Sequence, residues 1–449
     1  NRYHTMIRRL HLPDALKQTL IFGSSIALMK SVSLLMLPLI ANHLTAESYG
    51  RLEVVSTLAI IGSILVGMGL EHTLFRFAGV AQNMAQRKRL AAEIFSLTLM
   101  LGSIAWIVSW FAAETISHWI PGHPTLYEVR LVLSMLALEG CIAIPLGWLR
   151  MENRAFSFFF ATTGRALLQA ILIVIQLSFD RGVEGILEAG LIAALVQVLV
   201  LGYLHIRDTG LHFNVQTGIR SFTYSLPIVG SGLVAFAING LDRWILADDG
   251  SLIDVAQFGV AAKFALAVVL LMQPYGMWWS PRRFQVLNQP DGNAKAARFI
   301  ALGLALILII TVLVGLASPL LINWLLPESY ALAGQYAVGL VFVMALREMA
   351  ELLNIGCFTG KTTGTQLVIN TMGSTLGIVC MLWWAPDYGV WGIIFALMSA
   401  QTLRLILFFI ASQHFLPLPY PTRSIFMLAA AGIAWLIFGL QTHSKIGRA

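Results

Sequence analysis

The chain has 449 residues, of which 58% are hydrophobic and only 11% charged, against roughly 25% charged in a soluble domain. With a mean hydropathy of +0.78, it has too little polar surface to face water on all sides. The formal charge of +7 is confined largely to short segments between apolar runs, which excludes a nucleic-acid footprint.

The basic start, NRYHTMIRRLHLPDALKQ, flanks a full-length apolar helix and does not read as a cleavable signal. Apolar runs long enough to cross a bilayer then follow at 18–41, 52–77, 91–112, 129–149, 155–178, 185–205, 222–246, 254–279, 299–321, 331–358, 364–384, 389–413 and 424–441. These are thirteen expected helices of an all-α polytopic membrane protein, the last set apart by the proline-broken HFLPLPYPTR. Pro38, Pro145, Pro227 and Pro274 fall inside spans, where freed carbonyls permit bending. Cys141, Cys357 and Cys380 also lie in spans, without metal or disulfide spacing, and read as packing residues.

Charge between the spans alternates. Arg87, Lys88, Arg89, Arg150, Arg154, Arg207, Arg220, Arg282 and Arg283 lie on the same side as the N-terminus, whereas the alternate loops hold only Arg51, Arg130 and Arg181. Lys and Arg mark cytoplasmic loops, so the expectation is a multi-pass membrane protein with its N-terminus in the cytoplasm. No loop is long enough to fold as a domain. The longest on the far side, ETISHWIPGHPTLYEVR, has the Trp, Pro and Tyr content of a membrane interface.

The chain repeats itself. GVEGILEAGLIA at 182–193 returns as GVWGIIFALMSA at 389–400, an offset of 207 residues. Ala137-Leu138-Glu139 returns as Ala345-Leu346-Arg347 at 208, and Tyr49-Gly50 as Phe258-Gly259 at 209. An even number of helices separates the copies, so both point the same way across the membrane. This predicts two parallel-repeat six-helix lobes around a central cleft, plus one extra C-terminal helix. The expected divisions are 1–206 for the first lobe, 207–221 for a linker, 222–414 for the second lobe and 415–449 for the remainder.

Several segments resemble the polysaccharide transporter (Wzx-type flippase) branch of the multidrug/oligosaccharidyl-lipid/polysaccharide exporter superfamily. They are LPLIANHLTAESYGRLEVVSTL and GMGLEHTLFRFAG in the first half, FTYSLPIVGSGLVAFAINGLDRWIL and VAQFGVAAKFALAVV in the second, and the short MENRAF and TGKTTG turns. The resemblance implies a flippase moving an undecaprenyl-diphosphate-linked oligosaccharide across the inner membrane by alternating access, for cell-surface polysaccharide assembly. It implies a V-shaped central cavity between the lobes, twelve or fourteen helices, membrane lipids as neighbours, and the polymerase and chain-length proteins of the same pathway as partners. A monomer without cofactors is expected, with coupling to protons or sodium left open.

Such a cargo needs cations within the membrane, because Arg forks to phosphate oxygens and Lys serves as a point charge. Ionisable residues there are costly and face a cavity or a partner. The candidate substrate-binding residues are Lys30, Arg165, Arg243, Lys263, Arg347 and Arg404; the candidate ion-coupling acids are Glu139, Asp242, Glu348 and Glu351. Arg347 and Glu351 stand four apart and are expected to pair, as are Glu139 and Arg165 on adjacent spans. Asp242 and Arg243, as sequence neighbours, are expected to need separate partners. Lys30 and Lys263 have no acid within a turn in sequence, and in the lipid II flippases of the same superfamily basic residues on helices one and eight line the cavity.

Two other readings compete. A drug or small-cation exporter of the same superfamily favours carboxylates in the first lobe, where this chain places Lys30. A membrane glycan polymerase or ligase needs clamping residues on a sizeable outer loop, and here His118 and His123 stand isolated among interfacial residues, with no nucleophile–base or metal spacing.

Overall fold

The computed structural model describes residues 14–62, 64, 69–79, 81–249, 251–280, 282–358 and 364–420; the thirteenth span expected at 424–441 lies outside them. Among these residues the chain is helical and has no strand. In order come α1 (Asp14–His43), α2 (Ala46–Gly62), α3 (Gly69–Gly79), α4 (Met84–Trp119), α5 (Leu126–Met151), α6 (Ala155–Ser178) and α7 (Gly182–Thr209). The second half supplies α8 (Val215–Asn239), α9 (Leu241–Asp249), α10 (Leu252–Trp279), the short α11 (Arg283–Leu287), α12 (Gly292–Leu325), α13 (Ala333–Leu353) and α14 (Gly364–Phe415).

Nine of the described helices are long and apolar enough to cross a membrane. Two further crossings are made by α2 with α3 and by α8 with α9, the second pair divided at Gly240. The two spans expected at 364–384 and 389–413 are both present, as the two arms of α14, and each makes a crossing. The α14 backbone is non-helical at Gly389, with φ 54° and ψ −129°. The chain reverses there: a Cβ on Gly392 would lie 2.3 Å from the carbonyl oxygen of Trp384, and one on Gly377 would lie 3.1 Å from the Ala400 Cβ. A straight helix would hold those pairs about 12 and 35 Å apart. The described chain therefore makes twelve crossings.

That turn accounts for the repeated stretch. Gly182, which opens α7, has φ 56°, and Gly389 has φ 54°, a region costly for any residue with a Cβ. Three residues on, Gly185 and Gly392 press against the preceding helix, a Cβ on Gly185 lying 2.8 Å from that of Gln176. Each copy encodes the same tight antiparallel return at the same end of its lobe.

Within the first lobe α1 packs on α6, α4 on α5, and α5 and α6 on α7; in the second, α10 and α12 pack on α13, and α13 and α9 on α14. Polar caps fix where the helices begin. Thr125 with Glu128 and Ser251 with Asp254 form capping boxes on α5 and α10, and Asn83 and Asn214 accept from the first-turn amides of α4 and α8.

The lobes meet along α2 and α10, at the end of the molecule that carries the α1–α2 turn. A Cβ on Gly50 would sit 1.8 Å from the Leu252 carbonyl oxygen, so the two backbones touch. Tyr49 and Tyr330 meet edge to face with ring centroids 5.9 Å apart, and Asn42 donates to the Leu325 carbonyl at 3.3 Å. At the opposite, basic end the first half of α8 lies against α3, where Thr73 and Ser225 hydroxyls are 2.8 Å apart and Phe77 meets Tyr224. Gly50→Ala should force α2 off α10, because the obstacle is backbone and cannot rotate away. The expected loss is about 1–3 kcal/mol, read as a lower midpoint of thermal unfolding in detergent.

Candidate functional site

The seam between the lobes holds a cluster of charges. Glu53, on the buried face of α2, receives Lys263 Nζ of α10 at 2.7 Å on one carboxylate oxygen and Arg243 Nε of α9 at 3.2 Å on the other. Lys263 also donates to the Tyr49 hydroxyl at 2.5 Å, and its ammonium lies 4.9 Å from that ring's centroid. Arg243 lies over the Phe258 ring at 5.4 Å and reaches back to Asp242 at 3.2 Å. Tyr49-Gly50 and Phe258-Gly259, the repeated aromatic-glycine steps, thus each seat one cation with their ring. Gly259 has no side chain because Glu53 fills the space: a Cβ there would lie 2.7 Å from the Glu53 Cγ.

Two expectations change here. Lys263, isolated in sequence, has its acid 210 residues away. Asp242 and Arg243 do bond to each other, because at the start of α9 the guanidinium folds back over the preceding carboxylate. Arg243 is turned into the seam and well covered.

A second group of charges lies midway along the lobes. Arg404 donates to Asn370 at 3.0 Å, to Gln401 at 2.6 Å and to Glu351 at 3.4 Å. Glu351 therefore pairs with Arg404 from α14, not with Arg347 one turn away. Arg347 makes no ion pair or hydrogen bond among the described residues, nor does Lys30 on α1. Both lie within electrostatic range of Glu348, on the Arg347 helix. Lys30 and Arg347 come from different lobes, and each is half-buried. In the first lobe Arg165 donates to Gln197 at 3.0 Å, with Glu139 acting on it at longer range and no contact pair between them.

Sequence reading did not single out Glu53, Tyr49, Gln197, Asn370 or Arg283 as site residues. Gln197, in the run ALVQVLVL, carried a signal: a carboxamide in an otherwise aliphatic span needs partners, and it has Arg165 and the Ala161 carbonyl. Arg283, at the basic end outside the spans, lies 4.2 Å from the Phe358 ring centroid. Burial pulls its guanidinium below the ordinary arginine value, and the Glu351 charge works the other way.

A two-lobe, twelve-crossing bundle with charges on its seam and at mid-depth is the architecture of a membrane transporter. Solved structures share the fold. One described as the lipid II flippase MurJ in an inward closed conformation matches with a TM-score of 0.73 and 12% identity, over 93% of this chain and 92% of that one. An inward-facing multidrug resistance MATE family transporter of the MOP superfamily matches with a TM-score of 0.61 and 15% identity, over 92% and 98%. The Vibrio cholerae MATE transporter VcmN matches with a TM-score of 0.57 and 14% identity, over 89% and 96%. No curated protein matches the sequence. The profile of the family described as "polysaccharide biosynthesis protein" matches residues 39–274, more than half of the chain, and the protein belongs to that family.

Removing the seam carboxylate leaves the well-covered Arg243 with Asp242 alone and the partly exposed Lys263 without an acid in contact. Glu53→Gln should therefore cost about 3–5 kcal/mol of closed-state stability. In a cysteine-free background a reporter cysteine at Val55, wholly buried in the seam, should label rapidly in the Glu53→Gln variant and slowly in its parent. Adding Lys263→Met should restore part of the protection.

Proposed function

We propose that the protein is a flippase that carries a lipid-linked oligosaccharide, with an undecaprenyl diphosphate anchor, across the bacterial inner membrane by alternating access. The observation that carries this reading is the pair Lys30 and Arg347: two mid-depth cations, one from each lobe, left without a counter-ion in contact. A charge held in that setting is costly, and a diphosphate entering between the lobes would satisfy both at once. Family membership in polysaccharide biosynthesis and the fold shared with a lipid II flippase support the same cargo class. The basic end faces the cytoplasm in this reading, as the Lys and Arg asymmetry requires. The seam at the other end then opens to release the glycan.

Among the candidate acids, Glu348 is best placed for ion coupling. Asp242 and Glu351 already hold arginines, Glu139 acts on Arg165 at longer range, and Glu348 is the candidate acid within electrostatic range of both Lys30 and Arg347. Protonation of Glu348 would leave Lys30 and Arg347 to the phosphates; deprotonation would give them back a carboxylate.

The test is export of surface glycan in a strain lacking the gene, with membrane abundance measured for each variant. Lys30→Arg should retain partial export. Lys30→Gln and Lys30→Glu should reduce it roughly tenfold or more, as expected for losing a hydrogen bond to a charged group, and Arg347→Gln should do the same. Normal export by Lys30→Gln at equal abundance would refute the phosphate role. Transport of organic cations by the purified protein, with glycan export intact in the deletion strain, would favour the exporter instead. Orientation is checked separately: an impermeant thiol reagent added to whole cells should label a cysteine at His118 and spare one at Lys88.

A further inference from the structure

Of the three arginines at the end opposite the basic loops, two are neutralised within the first lobe. Arg51 meets Glu128 at 3.2 Å and Arg181 pairs with Glu188. Arg130 has no acid. Its guanidinium lies 4.4 Å from the Trp110 ring centroid, and its Nε is shielded from solvent with no hydrogen-bond acceptor. The neighbouring Tyr127 hydroxyl is already committed, donating to Glu188 at 2.8 Å.

Arg130 stands at the head of a groove of about 700 Å³ between α4, α5 and α7, within the roughly 300–1,000 Å³ of ordinary ligand sites. Below Arg130 the lining turns apolar through Leu131, Leu138 and Leu195 and ends near Cys141. The floor is narrow: a Cβ on Gly102 would lie 2.5 Å from the Ala137 carbonyl oxygen. At the head, Trp106 donates to the Ser134 hydroxyl at 3.1 Å and stands beside Trp110, the aromatic setting of a headgroup boundary.

The dimensions match one leaflet. Arg130 and Cys141 are eleven residues apart on α5, about 16 Å along a helix, and a leaflet's hydrocarbon is half of a core roughly 30 Å thick. The groove lies on the flank of the first lobe, away from the α2–α10 seam, so it is not on a path between the lobes.

We propose that this groove is a binding site for an acidic phospholipid of the surrounding bilayer. The phosphate accepts from the Arg130 guanidinium beside Trp110, and an acyl chain runs down the groove to Cys141. The site is independent of the transported cargo and holds whichever cargo the protein carries.

The experiment is native mass spectrometry of the detergent-purified full chain titrated with phosphatidylglycerol or phosphatidylcholine. The wild type should retain phosphatidylglycerol in preference to phosphatidylcholine. Arg130→Gln should reduce that preference about fivefold, the weight of one basic residue facing anionic lipid, while Arg130→Lys keeps most of it. Ser103→Trp, which fills the groove from the lipid side and leaves Arg130 in place, should remove the adduct of either lipid. Unchanged thermal midpoints of both variants would show that the loss is local. Equal adducts in wild type and Arg130→Gln, equal retention of the two lipids, or displacement of phosphatidylglycerol by equimolar polyprenyl phosphate would each overturn the proposal.

Discussion

One carboxylate organises the junction between the halves. Glu53 belongs to the first lobe, and both cations that hold it, Lys263 and Arg243, belong to the second. Because the surroundings are dry, the pair adds little net stability compared with apolar packing. What it supplies is specificity: the lobes fit in the one register that places the acid between two bases. The glycines at 50 and 259 allow the approach that makes the contact possible, and the aromatic residues beside them seat the cations. Those two aromatic-glycine steps are copies of one ancestral step, so the seam is built from corresponding parts of the two halves with opposite charges added to each.

The duplicated architecture is symmetric in backbone and asymmetric in charge. Gly182 and Gly389 make the same left-handed turn in the two lobes. Ala137 and Ala345 are both buried, yet the second residue after each is an acid in one lobe and a base in the other. Glu139 acts at longer range on an arginine of its own lobe, whereas Arg347 has no partner in contact. Packing requirements conserve the small residues of a repeat wherever backbones touch. Charges tolerate change provided the site finds another way to satisfy them, which is where the halves have diverged.

Much of this was legible in the sequence. Span positions follow from hydropathy, and the offset near 208 residues gave the two-lobe plan before any contact was known. The division between α8 and α9 was hidden because an apolar run does not announce a discontinuity: LVAFAINGLDRWIL reads as one span. The return between the two arms of α14 was legible, because Gly389 opens the second copy of the repeated stretch. Charge partners were the least readable. The four-residue spacing of Arg347 and Glu351 suggested a local pair, but Arg404 arrives from another helix with Asn370 and Gln401 already shaping its fork. Glu53 and Lys263, far apart in the chain, are joined only by the lobe packing.

The placement of Glu53 also sets a threshold for anything that binds at the seam. Lys263 and Arg243 are not vacant: an anion approaching them competes with a carboxylate tethered to the same molecule. Such a tethered rival acts at an effective concentration of about millimolar or more, whatever the amount of protein present. A singly charged free anion at lower concentration is therefore turned away, and only a ligand offering more negative charge, or already anchored nearby, displaces it. The seam would thus filter ligands by valence, with Glu53 positioned to take back both cations once a ligand left.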